Sequence, residues 1–121
     1  MLKRIAIVDD EVDVLETLKK FLDKNDDYKI DIYSNANTAL ENIRDKNYDL
    51  ILLDIMMPEV NGLDILKEVK EKDKNTKVIM MTAYSTLNTT LKSDTLGADA
   101  YLEKPFSSLL NLRGTVEELL S

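Results

Sequence analysis

A chain of 121 residues with 16 basic and 23 acidic side chains, no cysteine and no histidine excludes several classes of protein before any pattern is read. Without Cys there are no disulfides, thiolate nucleophiles or Cys-ligated metal centres, and without His there are no imidazole bases, Ser-His-Asp triads or ordinary catalytic zinc sites. A net charge of −7 and a pI near 4.6 argue against direct binding to nucleic acid or to an anionic membrane surface.

The length predicts a single domain over residues 1–121. Ile5-Ala6-Ile7-Val8 is a continuous apolar run, the mark of a strand buried on both faces of a parallel sheet. Val12, Leu15, Leu18 and Leu22 follow at helical spacing. Ile30-Asp31-Ile32-Tyr33 alternates polar with apolar and reads as an edge strand, and Ala36, Ala39, Leu40 and Ile43 mark a second helix. Leu50-Ile51-Leu52-Leu53 is the third strand. Asn61-Gly62 fits a tight turn that tolerates positive φ, and Leu63, Leu66 and Val69 mark the third helix. Its tail, Lys70-Glu71-Lys72-Asp73-Lys74, reads as a solvated helix end. Val78-Ile79-Met80-Met81 is the fourth strand. A fourth helix over Ser85–Leu96 is rich in Thr and Ser, which lowers its intrinsic helix stability by about 2–3 kcal/mol. Ala100-Tyr101-Leu102-Glu103 is short and mixed, a second edge strand. Leu109, Leu112, Val116, Leu119 and Leu120 mark a fifth helix, with Gly114 inside it as a predicted kink. No apolar run approaches the roughly 20 residues that span a bilayer, and Met1–Arg4 leads into too short a stretch for a signal peptide. The expectation is a soluble cytoplasmic protein.

Strand and helix alternating five times predict an α/β doubly wound parallel sheet, and edge character at the second and fifth strands gives the order 2-1-3-4-5. Ligands in such sheets bind at the carboxyl ends of the strands where the order reverses. The residues there are Asp9 and Asp10 after the first strand, Asp54 after the third, Thr82 after the fourth and Lys104 after the fifth. Each alone has a structural explanation, since an Asp after a strand is a common helix cap or turn former. Together they form one reactive set, because capping requires no lysine.

Three ionised carboxylates about 5 Å apart at an effective dielectric near 20 repel by about 3 kcal/mol per pair, comparable in sum with the whole stability of about 6–18 kcal/mol expected for a chain of this length. Either one carboxylate keeps a proton or a cation sits among them, and one lysine cannot neutralise three acids. Oxygen ligands without His or Cys suit Mg²⁺ or Mn²⁺. Beside such a metal, Asp54, Thr82 and Lys104 are parts for phosphoryl transfer onto a carboxylate.

Five stretches in order resemble the receiver domain of bacterial two-component response regulators: Ile7-Val8-Asp9-Asp10-Glu11, Leu52 to Pro58 with Asn61-Gly62, Met81-Thr82-Ala83-Tyr84, Gly97-Ala98, and Tyr101-Leu102-Glu103-Lys104-Pro105-Phe106. The resemblance covers essentially the whole chain. It implies a flavodoxin-like three-layer sandwich in which Asp54 is the phosphoacceptor. It also implies Mg²⁺ held by Asp9, Asp10, Asp54 and the backbone carbonyl of Met56, with Lys104 on the phosphoryl group. The Lys104-Pro105 peptide is expected to be cis, and Thr82 and Tyr101 to form a switch pair that reports on the face made by the fourth helix, fifth strand and fifth helix. The implied donor is a histidine kinase or phosphotransfer protein, the output face could serve a homodimer, and the domain is either stand-alone or the N-terminal part of a longer regulator. The weak fourth helix is expected to be frayed before phosphorylation.

Two other classes share some of these parts. A phosphohydrolase of the haloacid dehalogenase type would need a second Asp two residues after its nucleophile, where this chain has Met56. A receiver-like interaction module that is never phosphorylated would not need the acidic pair or Lys104.

Overall fold

The computed structural model describes residues 2–82, 92–104 and 109–121. Five strands, β1 (Lys3–Val8), β2 (Tyr28–Tyr33), β3 (Leu50–Asp54), β4 (Lys77–Thr82) and β5 (Ala100–Glu103), form one parallel sheet. Their order is β2-β1-β3-β4-β5, as the alternation and edge character predict. Between them run α1 (Val12–Leu22), α2 (Ala36–Asp45) and α3 (Gly62–Lys72), and the chain closes with a C-terminal helix, Leu109–Leu120.

Alternate residues of the central strands face opposite layers. Ala6, Val8, Ile51, Leu53, Val78 and Met80 join α2 and α3 in one core, while Ile5, Ile7, Leu50, Leu52, Ile79 and Met81 join α1 and the C-terminal helix in the other. Every residue of β3 is buried, which explains why that segment reads as unbroken apolar sequence up to Asp54. The outer strands are only partly covered, which is why their sequences are mixed. Among the described residues no helix is long and apolar enough to cross a membrane.

Three local expectations change. The tail of α3 is not simply solvated. Lys70 Nζ donates to Asp99 Oδ2 at 2.8 Å and to the Thr76 carbonyl at 2.7 Å, and Lys72 Nζ donates to the carbonyls of Ile43 and Lys46 at 2.6 and 3.0 Å. Both lysines therefore hold chain ends, and Lys72 supplies the partners that the last carbonyls of α2 lack. Gly62 is not the positive-φ residue of its turn. That conformation falls on Glu59, at φ 69°, and Gly62 serves a different purpose, described below. The C-terminal helix runs unbroken through Gly114.

Most of the predicted fourth helix, and with it the expected fraying, lies outside the described residues. Residues 92–95 are helical and end in a Schellman arrangement. Gly97 takes φ 95° while its N–H bonds the Asp94 carbonyl and that of Ala98 bonds the Ser93 carbonyl.

Candidate active site

Parallel pairing brings the ends of β1, β3, β4 and β5 to one edge of the sheet, in register Val8 with Leu53, Asp54 with Met81, and Thr82 with Glu103. The residues that follow these positions converge. Asp9 is fully buried and Asp54 nearly so, while Asp10 is exposed. One carboxylate oxygen from each of the three lies within 4.8 Å of the others.

Lys104 enters this group. Its backbone N–H donates to the Thr82 carbonyl at 2.7 Å, which continues the pairing of β5 with β4 by one residue. The ammonium donates to Asp9 Oδ2 and, at 3.3 Å, to Asp54 Oδ2. It also pairs with Glu11 Oε1 at 3.5 Å. The backbone fixes the other oxygens of the two buried acids: Glu11 N–H donates to Asp9 Oδ1 at 2.9 Å and Met56 N–H to Asp54 Oδ1 at 3.2 Å.

The protonation chemistry follows from this geometry. Burial, reinforced by the neighbouring Asp9 charge, pushes Asp54 up to about 7. Lys104 and the Met56 N–H pull the other way and are outweighed. Burial alone would lower Lys104, but its hydrogen bond to Asp9 and the charge of Asp54 hold it above the usual lysine range. Of the two ways to relieve crowded carboxylates, a retained proton and a cation, this site uses some of each. The ammonium serves Asp9 and Asp54 closely, and Asp10 relieves the rest by reaching solvent.

Gly62 sets how closely α3 approaches this site. A Cβ on Gly62 would lie 2.1 Å from the Asp54 carbonyl oxygen and 2.8 Å from Ile55 Cα. The Gly62 N–H instead donates to the Ile55 carbonyl at 2.9 Å. Asn61 caps α3, accepting from Leu63 N–H at 2.8 Å. The turn before it contains the left-handed Glu59, whose carboxylate accepts from Asn37 Nδ2 at 3.3 Å.

Among the other predicted site residues, Thr82 is fully buried at the end of β4. Tyr101 sits in register with Met80, half-buried against the core that contains α2 and α3. The Met56 side chain is exposed. Pro105, and so the geometry of the Lys104-Pro105 peptide, lies outside the described residues.

Two features escape the sequence reading. Glu11 belongs to the Lys104 environment, and three successive acids at the end of β1 were the available signal. Val12, counted with the apolar face of α1, stands 52% exposed beside the site.

The donor set can be tested against a metal. Three carboxylates within one ion's reach, with oxygen as the only ligand atom, fit a hard divalent cation such as Mg²⁺.

The sequence model of the response regulator receiver domain matches residues 5–116. The chain is 38% identical over 104 residues to the transcriptional regulatory protein ResD of Bacillus subtilis, covering 86% of this chain and 42% of that protein. It is 39% identical over 106 residues to the transcriptional regulatory protein DltR of Streptococcus agalactiae, covering 87% and 46%. The chain thus spans less than half the length of these curated relatives. Among solved structures, the response regulator TrrA of Thermotoga maritima, in complex with Mg²⁺-BeF, is 40% identical, with a TM-score of 0.86 over 98% of this chain and 100% of that one. A response regulator receiver domain protein of Methanospirillum hungatei is 34% identical, with a TM-score of 0.90 over 98% and 94%.

Proposed function

The chain belongs to the response regulator receiver domain family, whose members are signalling modules rather than conventional enzymes, and from that membership we propose that it accepts a phosphoryl group on Asp54 and relays the event through its own conformation. The donor is a histidine kinase or a phosphotransfer protein. These 121 residues contain no histidine, so the phosphohistidine lies outside them. The observation that carries the reading is the placement of the Lys104 ammonium between the buried Asp9 and Asp54, at the carboxyl end of the sheet.

Mg²⁺, held by Asp9, Asp10, Asp54 and the Met56 carbonyl, would supply positive charge that keeps Asp54 ionised and offsets the charge on the phosphoryl oxygens. An ionised Asp54 oxygen attacks phosphorus in line. The bond from phosphorus to the donor breaks, and the donor leaves with the electron pair and takes its proton from solvent. Met56 N–H holds the Asp54 oxygen that does not attack. Lys104 binds a phosphoryl oxygen, and the Thr82 hydroxyl donates to another. The same groups serve the later hydrolysis, in which water attacks phosphorus, the bond to Asp54 breaks and inorganic phosphate leaves, so the domain catalyses its own phosphorylation and dephosphorylation.

Thr82 and Tyr101 then act as the switch. Movement of Thr82 toward the phosphoryl group opens space into which the half-buried Tyr101 ring turns, and the face of the fourth helix, β5 and the C-terminal helix changes. That face controls a second copy, a partner or an effector domain, with residues 1–121 forming one receiver domain of a cytoplasmic regulator. The domain itself makes no direct contact with nucleic acid.

Incubation with Mg²⁺ and acetyl phosphate, followed by intact-mass measurement, tests the proposal. One phosphoryl adduct that requires Mg²⁺ and disappears in Asp54→Asn is expected. Repeated release of phosphate from an external monoester without any adduct would overturn it in favour of a hydrolase.

A further inference from the structure

Lysine has three N–H donors and no acceptor, and three carboxylates surround the Lys104 ammonium. They are not equivalent. Asp9 and Asp54 are buried and hydrogen-bonded to it, whereas Glu11 is 61% exposed and lies at 3.5 Å, an ion-pair distance. Glu11 is placed there by its own backbone, because its N–H is fixed on Asp9 Oδ1. It occupies the N-cap position of α1, yet its side chain makes no capping bond. The carboxylate makes no bond that starts the helix, and the ammonium it pairs with is that of Lys104.

A phosphoryl group on Asp54 brings new acceptor oxygens and more negative charge within reach of the same ammonium. The phosphoryl oxygens take the place of Asp54 Oδ2 and pull harder on the ammonium than a carboxylate does, so its loosest remaining partner gives way. Asp9 is buried and cannot turn to water, but Glu11 can. Left beside an anionic phosphoryl group without its lysine, Glu11 raises the energy of the phosphorylated state relative to the free one. We propose that Glu11 is a positioning residue which holds Lys104 in the unphosphorylated site and is displaced by the phosphoryl group, biasing the site against phosphorylation. The inference rests on the phosphoacceptor reading and deepens it by naming the side chain that competes with the phosphoryl group for Lys104.

Beryllofluoride, a noncovalent stand-in for the phosphoryl group, gives a binding readout independent of turnover. Its affinity is measured by isothermal titration calorimetry at saturating Mg²⁺ for wild type, Glu11→Gln and Asp13→Asn. Asp13 is an exposed acid of the same helix turn, so its variant removes the same formal charge without touching Lys104. Glu11→Gln should bind about twofold to fivefold tighter, the range expected of a partly exposed ion pair, and the gain should shrink in high salt. Asp13→Asn should bind as wild type does. Equal affinity for Glu11→Gln and wild type would overturn this inference alone, as would an equal gain in Asp13→Asn. Absence of binding in all three folded proteins would overturn the phosphoacceptor reading and this inference with it.

Discussion

Removing the charge of Asp54 should stabilise the metal-free protein, and the gain should grow with pH. The carboxyl sits at about 7 in the folded chain against an ordinary value of 3.8. The folded state therefore holds this proton more tightly than the unfolded state. Between those two values, stability falls as pH rises, and above about 7 the full penalty applies. The gap between those two values makes that penalty about 4 kcal/mol, and the same linkage leaves about 2 kcal/mol at pH 5. Asn is close in shape to the protonated acid, and its oxygen can still accept from Met56 N–H. Its amide places N–H groups toward the Lys104 ammonium, which reduces the gain to about 2–3 kcal/mol at pH 8.5. For a chain of this size that is a rise in Tm of about 8–12 °C.

The assay is thermal unfolding by circular dichroism in EDTA at pH 8.5 and pH 5, wild type against Asp54→Asn. The difference between the two proteins should be at least twice as large at the higher pH. Saturating Mg²⁺ should then raise wild type more than the variant, because the ion removes a repulsion that Asn no longer has. A variant that melts at or below wild type in EDTA at pH 8.5 would refute the crowding argument, whatever happens at pH 5.

Gly62→Ala places a methyl group against the Asp54 backbone, so stability should fall by about 1–3 kcal/mol and phosphorylation by acetyl phosphate should slow. Urea unfolding and adduct formation check the two effects, and an unchanged protein on both counts would show that α3 can draw back freely. Gly114→Ala should stabilise by about 1 kcal/mol, because nothing lies within 4 Å of the added Cβ; a lowered denaturation midpoint would contradict this. Asp99 Oδ2 accepts from both Lys70 Nζ and Val78 N–H at 2.8 Å. Asp99→Ala should therefore cost about 2 kcal/mol in urea unfolding, and a double-mutant cycle with Lys70→Met should return a coupling of about 1 kcal/mol. Zero coupling would mean that the backbone bond alone matters.

The sheet was legible because its physics is local and repetitive. Strands β1, β3 and β4 are covered on both faces over most of their length, so their central positions had to be apolar, and the apolar runs alone located them. The order of the strands followed from which segments lacked that continuity. The site residues were legible for a related reason: charge at the end of an apolar strand is conspicuous, and parallel pairing with matched ends converts five distant positions into neighbours. What could not be read depends on distances across the chain. The anchoring of Lys70 and Lys72 is invisible in a run of alternating charge, because it depends on which carbonyls of Ile43, Lys46 and Thr76 fall nearby. The packing role of Gly62 is hidden for the same reason. A glycine after Asn suggests a turn, but only the approach of α3 to β3 reveals a contact that excludes a Cβ.

These features share one cause. An ionisable group near the interior is tolerated only where the surrounding backbone is fixed, and Asp54 ends the one strand among the described residues in which every residue is buried. Strand β3 pairs on both sides, with β1 and β4, so its last residue cannot withdraw to water to shed its charge. The loop that follows must then leave the sheet abruptly, which accounts for a left-handed Glu59 and for a glycine pressed on the Asp54 carbonyl. Raised proton affinity, backbone strain and close packing are thus consequences of holding a carboxylate at the end of a doubly paired, fully buried strand. A carboxylate held in that way gains from any cation that reaches it, which is the physical basis on which the proposed phosphorylation of this residue would couple to metal binding.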